Sequence, residues 1–243
     1  TKLSIELAKK YDGEIINADA DQVYKGLNIG SAKVTEEEKE GIPHHLLDFK
    51  EVTEEYTIYH YQKDCREKIK DIQSRNKTPI LVGGTGLYIK AALYDYKLSE
   101  EKSTNTYDNL TNEELYEELK KLDKDIIIDK DNRRRLIRAI NYYKENNESI
   151  NKNKTNKLLY NVIFIGLTTD RQVLYDKINK RVDEMISQGL LEEVKSFYDK
   201  GIKSKPLLNA IGYRELYNYL DGNGTKEEAI EKIKQNSRHY AKR

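Results

Sequence analysis

A glycine-rich turn between an apolar run and a helical segment is the sequence feature that most constrains the fold of this chain. Residues 79–82 (PILV) have the composition of a buried parallel strand, GGTG follows at residues 83–86, and a helical pattern begins at Leu87. Such glycines let a backbone approach a ligand closely, and the N-terminus of the following helix offers free N–H groups to an anion. A tight strand-to-helix turn needs glycines for its geometry alone, so this motif leaves both interpretations open.

Strands, loops and helices alternate along the rest of the chain as well. Apolar spacing predicts four more elements: helices over residues 1–11 and 58–72, and buried strands at residues 14–18 and 162–167. This alternation predicts an α/β protein with a doubly wound parallel sheet. Because the sequence opens directly with a helical pattern, we expect an upstream element that it does not include.

Residues 100–157 lie between the predicted core strands and differ from them. They are polar and mainly helical, with a capping box of Thr111 and Glu114 at the start of one helix. We therefore predict an α/β core with a helical C-terminal part at residues 1–99 and 158–243, and a helical insertion at residues 100–157.

The composition is typical of a soluble protein from a reducing compartment. The chain has 243 residues, a formal net charge of +1 and one cysteine, so an intramolecular disulfide is impossible. No apolar stretch reaches membrane-spanning length and no signal-peptide pattern opens the sequence, so we expect a cytoplasmic protein. Residues 131–157 carry eight basic and three acidic side chains, and the last twelve residues carry five basic and no acidic ones. Such segments fit a phosphate backbone, although on charge alone a solvated helix face is the better interpretation.

Three polar residues stand where a ligand could bind. Asp19 follows the first predicted strand, at the end where open α/β sheets bind ligands; its carboxylate could bind Mg²⁺, act as a general base or cap a turn. Thr85 places a hydroxyl in the middle of the glycine loop. Arg181 lies on the apolar face of a predicted helix, where we expect a core position. A guanidinium there must meet a protein carboxylate or a ligand phosphate.

On another predicted helix, Arg138 lies four residues after Arg134 and three residues after Arg135. They could present a common basic edge to a phosphodiester backbone, or serve only solubility. The four histidines are not spaced as zinc ligands are, and structural roles are expected for them.

Seven motifs in one order resemble the tRNA dimethylallyltransferase (tRNA isopentenyltransferase) family over nearly the whole chain. They are NADADQVYKGLNIGSAK (17–33), PHHLLD (43–48), LVGGTGLY (81–88), NRRRLIRA (132–139), RVDEMISQGL (181–190), AIGYRE (210–215) and RHYAKR (238–243). Each is weakly specific, whereas their common order is strongly so. The resemblance implies a P-loop NTPase-like parallel sheet core with a mostly helical insertion. It also implies that Thr1 is the last residue of a G-x-x-x-x-G-K-[ST] loop whose other residues precede this sequence.

The same resemblance implies a reaction. A dimethylallyl group would move from dimethylallyl diphosphate to the exocyclic N6 amine of an adenosine beside the anticodon, with Asp19 as base and Thr85 holding the amine or the base. Thr1, Arg181 and Mg²⁺ would neutralise the pyrophosphate, with Thr1 as a ligand of the metal. The implied tRNA-binding residues are Asp19, Ala20, Asp21, Gln22, Thr85, Arg134, Arg135, Arg138, Asn209, Gly212, Tyr213, Arg214, Lys242 and Arg243. The implied partner is the tRNA anticodon arm. We expect the protein to be a monomer and not to associate with a membrane.

Ala20 and Asp21 depart from the family pattern, which commonly has serine and an apolar residue there, so they bear on substrate detail. Two other enzymatic functions are compatible with the same core features. One is a prenyltransferase acting on free adenine nucleotides, and the other is a P-loop kinase for a small molecule. A noncatalytic RNA-binding module is a third alternative, against which the loops of Asp19 and Thr85 argue.

Overall fold

The computed structural model describes residues 1–98, 107–153 and 156–242. Two compact units divide the chain, the first with residues 1–56, 64–88 and 163–243, and the second with residues 57–63 and 89–162. The second unit thus contains the predicted insertion together with adjoining segments. That the insertion contacts RNA stays a prediction.

The elements of the described residues are, in chain order, α1 (Lys2–Lys10), β1 (Gly13–Asn17), α2 (Glu36–Lys39), β2 (His44–His45), α3 (Ile58–Ser74), β3 (Thr78–Val82), α4 (Gly86–Leu93), α5 (Asn112–Leu122), α6 (Arg133–Asn146), a 3₁₀ turn (Ile150–Asn153), α7 (Arg171–Ser187), α8 (Leu190–Tyr198), α9 (Lys205–Asn209), α10 (Tyr213–Leu220) and α11 (Lys226–Ala241). The predicted α/β alternation is confirmed over the first ninety residues.

The three described strands form a parallel sheet in the order β2-β1-β3. β1 pairs with β3 along its whole length, from Gly13 opposite Thr78 to Asn17 opposite Val82. All five residues of β1 are buried, as expected for a central strand, and α1 packs on it through an apolar cluster with Ile5, Ala8 and Ile15 at its centre. The carboxyl ends of β1 and β3 therefore meet at one edge of the sheet.

One charged residue lies inside this sheet. Glu14 is 3% exposed, and Arg75 donates two hydrogen bonds to it, at 2.5 and 2.9 Å. His45 lies 2.7 Å from the same carboxylate. The Arg75 hydrogen bonds, opposed by burial and aided by His45, lower the pKa of Glu14 to about 2. The carboxylate is therefore charged and paired in the core, and His45 has the structural role expected of it.

The second unit has a core of its own, made by α5, α6 and the segments beside them. Its buried residues are Tyr107, Leu115, Leu119, Ile126, Leu136, Ala139 and Ile140. The predicted capping box of Thr111 and Glu114 is present at the start of α5. Arg133, although part of a basic run, donates to the backbone oxygens of Leu110 and Tyr107 at 2.5 Å each. It therefore helps to hold this unit together.

The buried strand predicted at residues 162–167 is wrong. These residues form neither helix nor strand, and Ile163 and Leu167 are 88% and 84% exposed. An apolar run becomes a buried strand only where a neighbouring strand satisfies its backbone groups. Within the described residues, the sheet contains β2, β1 and β3 alone and does not pair with this segment.

Candidate active site

A cavity of about 240 Å³ lies in the first unit, beside the carboxyl ends of β1 and β3. Open parallel sheets bind ligands at this edge. The cavity is lined by Thr1, Ser4, Ile15, Asn17, Asp19, Gln22, Ser31, Ala32, Val34, His44, Leu47, Val82, Gly83, Gly84 and Arg181. Three residues predicted from the sequence, Thr1, Asp19 and Arg181, are therefore brought together, although they are distant along the chain.

Asp19 is held in place by the turn that follows β1. Its backbone N–H donates to Asn17 Oδ1 at 3.1 Å, and Asn17 Nδ2 donates to the backbone oxygens of Asp19 and Leu46 at 3.0 Å each. The Asp19 Oδ1 atom accepts from the N–H groups of Asp21 at 2.9 Å and Gln22 at 3.4 Å. These bonds orient the carboxylate and leave Oδ2 facing the glycine loop.

Burial has the largest effect on the pKa of both carboxyl groups in this turn, those of Asp19 and Asp21. It raises the pKa of Asp19 above its ordinary value, although the hydrogen bonds from the N–H groups of Asp21 and Gln22 oppose the rise. Burial and the nearby Asp19 charge raise the pKa of Asp21 to about 6. A raised pKa makes an ionised carboxylate a stronger proton acceptor, which suits Asp19 to acid–base chemistry.

Thr85 and Gly83 tie the glycine loop to the Asp19 turn. The Thr85 N–H donates to the backbone oxygen of Ala18 at 3.0 Å, and the N–H of Ala20 donates to Thr85 Oγ1 at 3.0 Å. A Cβ atom at Gly83 would overlap the Ala18 carbonyl and lie 2.7 Å from the Asp19 nitrogen. The glycine is therefore needed because two backbones touch, and Thr85 lies beside the cavity as a residue that fixes the turn.

Arg181 does not occupy the core position expected for it. It is exposed on α7, where Val182 is the buried residue of the helix, and its guanidinium lines the cavity. Among the described residues, none provides a carboxylate within ion-pair distance of it. Arg181 is exposed because the apolar face of α7 is only partly covered by other residues, so a side chain at the edge of that face remains accessible. The arginine thus offers a bidentate donor to a ligand anion.

Thr1 is the N-cap residue of α1, and its side chain makes no capping hydrogen bond with the helix. Thr1 lines the cavity at a helix N-terminus, which favours anions. Within the described part of the chain, no three His, Cys, Asp or Glu side chains form a metal-binding group. Mg²⁺ commonly takes few protein ligands together with phosphate oxygens and waters, so the Thr1 hydroxyl fits it as one oxygen donor.

The predicted tRNA-binding residues fall in several places. Ala20, Asp21 and Gln22 belong to the turn beside the cavity, whereas Arg134 and Arg135 are exposed on α6 and Arg138 is half-buried there. Asn209, Arg214 and Lys242 are exposed, but Gly212 and Tyr213 are buried. Arg243 lies outside the described residues. Because the Tyr213 side chain is fully buried, the exposed surface of this segment is formed by the residues next to it.

Sequence reasoning missed Glu193 on α8. Its carboxylate accepts hydrogen bonds from three successive backbone N–H groups, those of Asn28, Ile29 and Gly30, at 2.9–3.2 Å. Glu193 follows another glutamate and belongs to none of the seven motifs, and backbone donors leave no pattern in a sequence. Two motifs contain its partners, NADADQVYKGLNIGSAK with Asn28 to Gly30 and AIGYRE with Tyr213, but neither motif includes Glu193.

No helix in the described ranges combines the length and the apolar character that a membrane span requires.

Comparisons with known proteins place these features among relatives. The family model described as IPP transferase matches residues 22–243. The tRNA dimethylallyltransferases of Anoxybacillus flavithermus and Geobacillus thermodenitrificans are 51% and 48% identical to this chain. Each comparison covers 100% of this chain and 81% of the relative.

Solved structures agree with these relatives. The full-length tRNA isopentenylpyrophosphate transferase of Bacillus halodurans is 42% identical, with a TM-score of 0.74, over 99% of this chain and 80% of that one. A eukaryotic dimethylallyltransferase acting on tRNA is 30% identical, with a TM-score of 0.89, over 99% of this chain and 64% of that one. The P-loop NTPase-like α/β fold is thereby confirmed, and this chain belongs to the IPP transferase family.

Proposed function

We propose that this protein transfers a dimethylallyl group from dimethylallyl diphosphate to the N6 amine of an adenosine adjacent to a tRNA anticodon and releases pyrophosphate. The observation that carries the proposal is the convergence of Asp19, the glycine loop and Arg181 on one cavity. A half-buried carboxylate and a guanidinium that no carboxylate among the described residues pairs with supply the base and the anion site that this reaction needs. The names of the relatives supply the two substrates.

Asp19 acts as the base in this proposal. The N6 amine is a weak nucleophile because its lone pair is delocalised into the purine ring. As N6 bonds to C1 of the dimethylallyl group and the C1–O bond breaks, N6 must lose a proton. The Asp19 carboxylate accepts this proton, with its Oδ1 held by the N–H groups of Asp21 and Gln22. Its raised pKa favours the transfer.

The leaving pyrophosphate gains negative charge as the C1–O bond breaks. Arg181 and the N-terminus of α1 at Thr1 line the cavity and place a guanidinium and free N–H groups beside that charge. Mg²⁺, held by the Thr1 hydroxyl and by diphosphate oxygens, would supply further positive charge. Stabilising the departing group in this way lowers the barrier of the same step that Asp19 assists.

Exposed cations in each unit serve RNA binding in this proposal. Arg134 and Arg135 on α6 and Arg214 at the start of α10 are exposed and could contact phosphates of the anticodon arm. The target adenosine must leave its stack for its N6 to reach Asp19. The reaction would take place in the cytoplasm, where tRNA is found.

The test is incubation with radiolabelled dimethylallyl diphosphate and Mg²⁺, in parallel with tRNA, AMP and ATP. We expect label only in tRNA, and in a modified adenosine after its digestion to nucleosides. Label in the free nucleotides alone would reject RNA as the substrate. Phosphate transfer from ATP to a small hydroxyl compound, without prenyl transfer, would reject the reaction class.

A further inference from the structure

The loop at residues 26–33 forms one side of the cavity described above. Ser31 and Ala32 of this loop line the cavity, followed by Val34. Gln22, also in the lining, donates from Nε2 to the backbone oxygen of Ser31 at 2.9 Å. The position of this loop therefore determines the shape of the cavity next to the Asp19 turn.

A carboxylate on another element binds the middle of the loop. Glu193, in the first turn of α8, accepts from the backbone N–H groups of Asn28 at 3.2 Å, Ile29 at 2.9 Å and Gly30 at 3.2 Å. Successive N–H groups that point to one side form a site for an anion, and hydrogen bonds to a charged acceptor are stronger than neutral ones. Here the anion is a side chain of the protein itself.

Tyr213 provides a fourth donor to the same carboxylate. Its hydroxyl donates to Glu193 Oε1, and its side chain is fully buried. Burial and the Glu193 charge raise the pKa of Tyr213, so the hydroxyl keeps its proton and remains a donor. The tyrosine thus fixes the carboxylate beside Gly30 of the loop.

Close packing accompanies these hydrogen bonds. A Cβ atom at Gly30 would lie 2.8 Å from Cζ of the Tyr213 ring, and one at Gly26 would lie 2.8 Å from Cζ of Phe197. Gly26 also has a positive φ of 79°, which favours glycine. The loop can lie against α8 and α10 only because these two positions lack side chains. The hydrogen bonds to Glu193 and the close contacts of the two glycines therefore hold the loop in the same position.

We propose that Glu193 is a positioning residue for dimethylallyl transfer: it holds the loop at residues 26–33 in the place where its side chains complete the cavity that binds dimethylallyl diphosphate. The proposal rests on the proposed function. Without the carboxylate, three backbone N–H groups and the Tyr213 hydroxyl lose their common acceptor. The loop then moves away from its position for part of the time, and the cavity next to Asp19 loses one side.

Glu192 offers a matched control. It lies in the same first turn of α8 and carries the same charge, but it is exposed and its carboxylate lies near Gly189. Glu192→Ala and Glu193→Ala therefore remove the same favourable interaction with the helix dipole. A difference between the two variants reports the contact with the loop.

Amide hydrogen exchange of the whole chain tests the anchor without depending on activity. We expect the amides of residues 28–30 to exchange at least about tenfold faster in Glu193→Ala than in the wild type, with no change in Glu192→Ala. In Glu193→Gln, which keeps one acceptor oxygen, the increase should be intermediate. Equal exchange in the Glu193→Ala variant and the wild type would overturn the proposal, whether or not the protein transfers dimethylallyl groups.

Steady-state kinetics tests the consequence for the reaction. If the loop occupies its place about a tenth of the time in Glu193→Ala, the KM for dimethylallyl diphosphate rises about tenfold, and kcat changes much less. Glu193→Gln should restore part of the affinity. A variant that merely folds poorly would lower kcat through fewer active molecules and leave KM unchanged, and that result would overturn the positioning role. A wild type without transfer activity would instead reject the proposed function, leaving the exchange result to judge the anchor.

Discussion

Replacing Gly83 by alanine should separate the two backbone segments that carry the candidate active site. The added Cβ would lie 2.7 Å from the Asp19 nitrogen and would overlap the Ala18 carbonyl. Since favourable contacts between such atoms begin near ~3.5 Å, the segments must move apart by roughly 1 Å. The movement breaks or lengthens the 3.0 Å hydrogen bond from Thr85 N–H to the Ala18 oxygen.

The magnitude follows from these two losses. Overpacking costs roughly 1–3 kcal/mol and a lost backbone hydrogen bond about 1 kcal/mol, so the free energy of unfolding should fall by roughly 2–4 kcal/mol. A displacement of about 1 Å at Asp19 should also lower the rate of transfer about 100-fold among molecules that remain folded.

Gly86 is the matched control because it belongs to the same loop and a Cβ there would meet no atom within 4 Å. We would measure urea unfolding and single-turnover transfer for Gly83→Ala and Gly86→Ala. Gly86→Ala should be nearly neutral, since alanine suits the first residue of α4. If the two variants behave alike, the close approach of the two backbones at Gly83 is not important and this reasoning fails.

Three further predictions follow from the charges. Arg75→Ala should lower the free energy of unfolding by about 2 kcal/mol at pH 7, because the buried Glu14 loses its main partner. Since the pKa of Glu14 is lowered in the folded wild type, this stability difference is complete above about pH 4.5 and is lost as the pH falls toward 2. Urea unfolding of both proteins across this pH range can check it. Asp19→Asn should lower the pKa of Asp21 from about 6, because the Asp19 charge no longer opposes its ionisation; an NMR titration of the Asp21 carboxyl group can check this, and an unchanged pKa would contradict it. Arg134→Ala should reduce the slope of log KM for tRNA against log salt by about 1, whereas removal of the exposed cation Lys121 should not.

Much of the fold could be predicted because the relevant signals are local. The apolar spacing of α1 and α3 and the short apolar runs of β1 and β3 reflect burial against immediate neighbours. Parallel strands that pair in register end at the same edge, so the proximity of Asp19 and Thr85 followed from the order of the elements.

Other features depend on distant parts of the chain, which local patterns do not record. The run at residues 162–167 has the composition of a strand but lies exposed because the described sheet offers it no paired neighbour. Helical spacing placed Arg181 on an apolar face, yet it could not show that this face is only partly covered. Glu193 accepts from backbone N–H groups 163 to 165 residues away in the sequence, and every residue type except proline provides such groups.

The central claim is that the Asp19 carboxylate takes the proton as the adenosine amine attacks, and Asp19→Asn tests it most directly. Asparagine has nearly the same shape and can still accept the N–H groups of Asp21 and Gln22 through its oxygen, so the turn should be preserved. Transfer would be measured in a single turnover, with saturating tRNA and dimethylallyl diphosphate, together with the binding of each substrate. We predict that both substrates still bind and that the rate falls by at least about 100-fold. A variant that transfers at the wild-type rate would contradict the account.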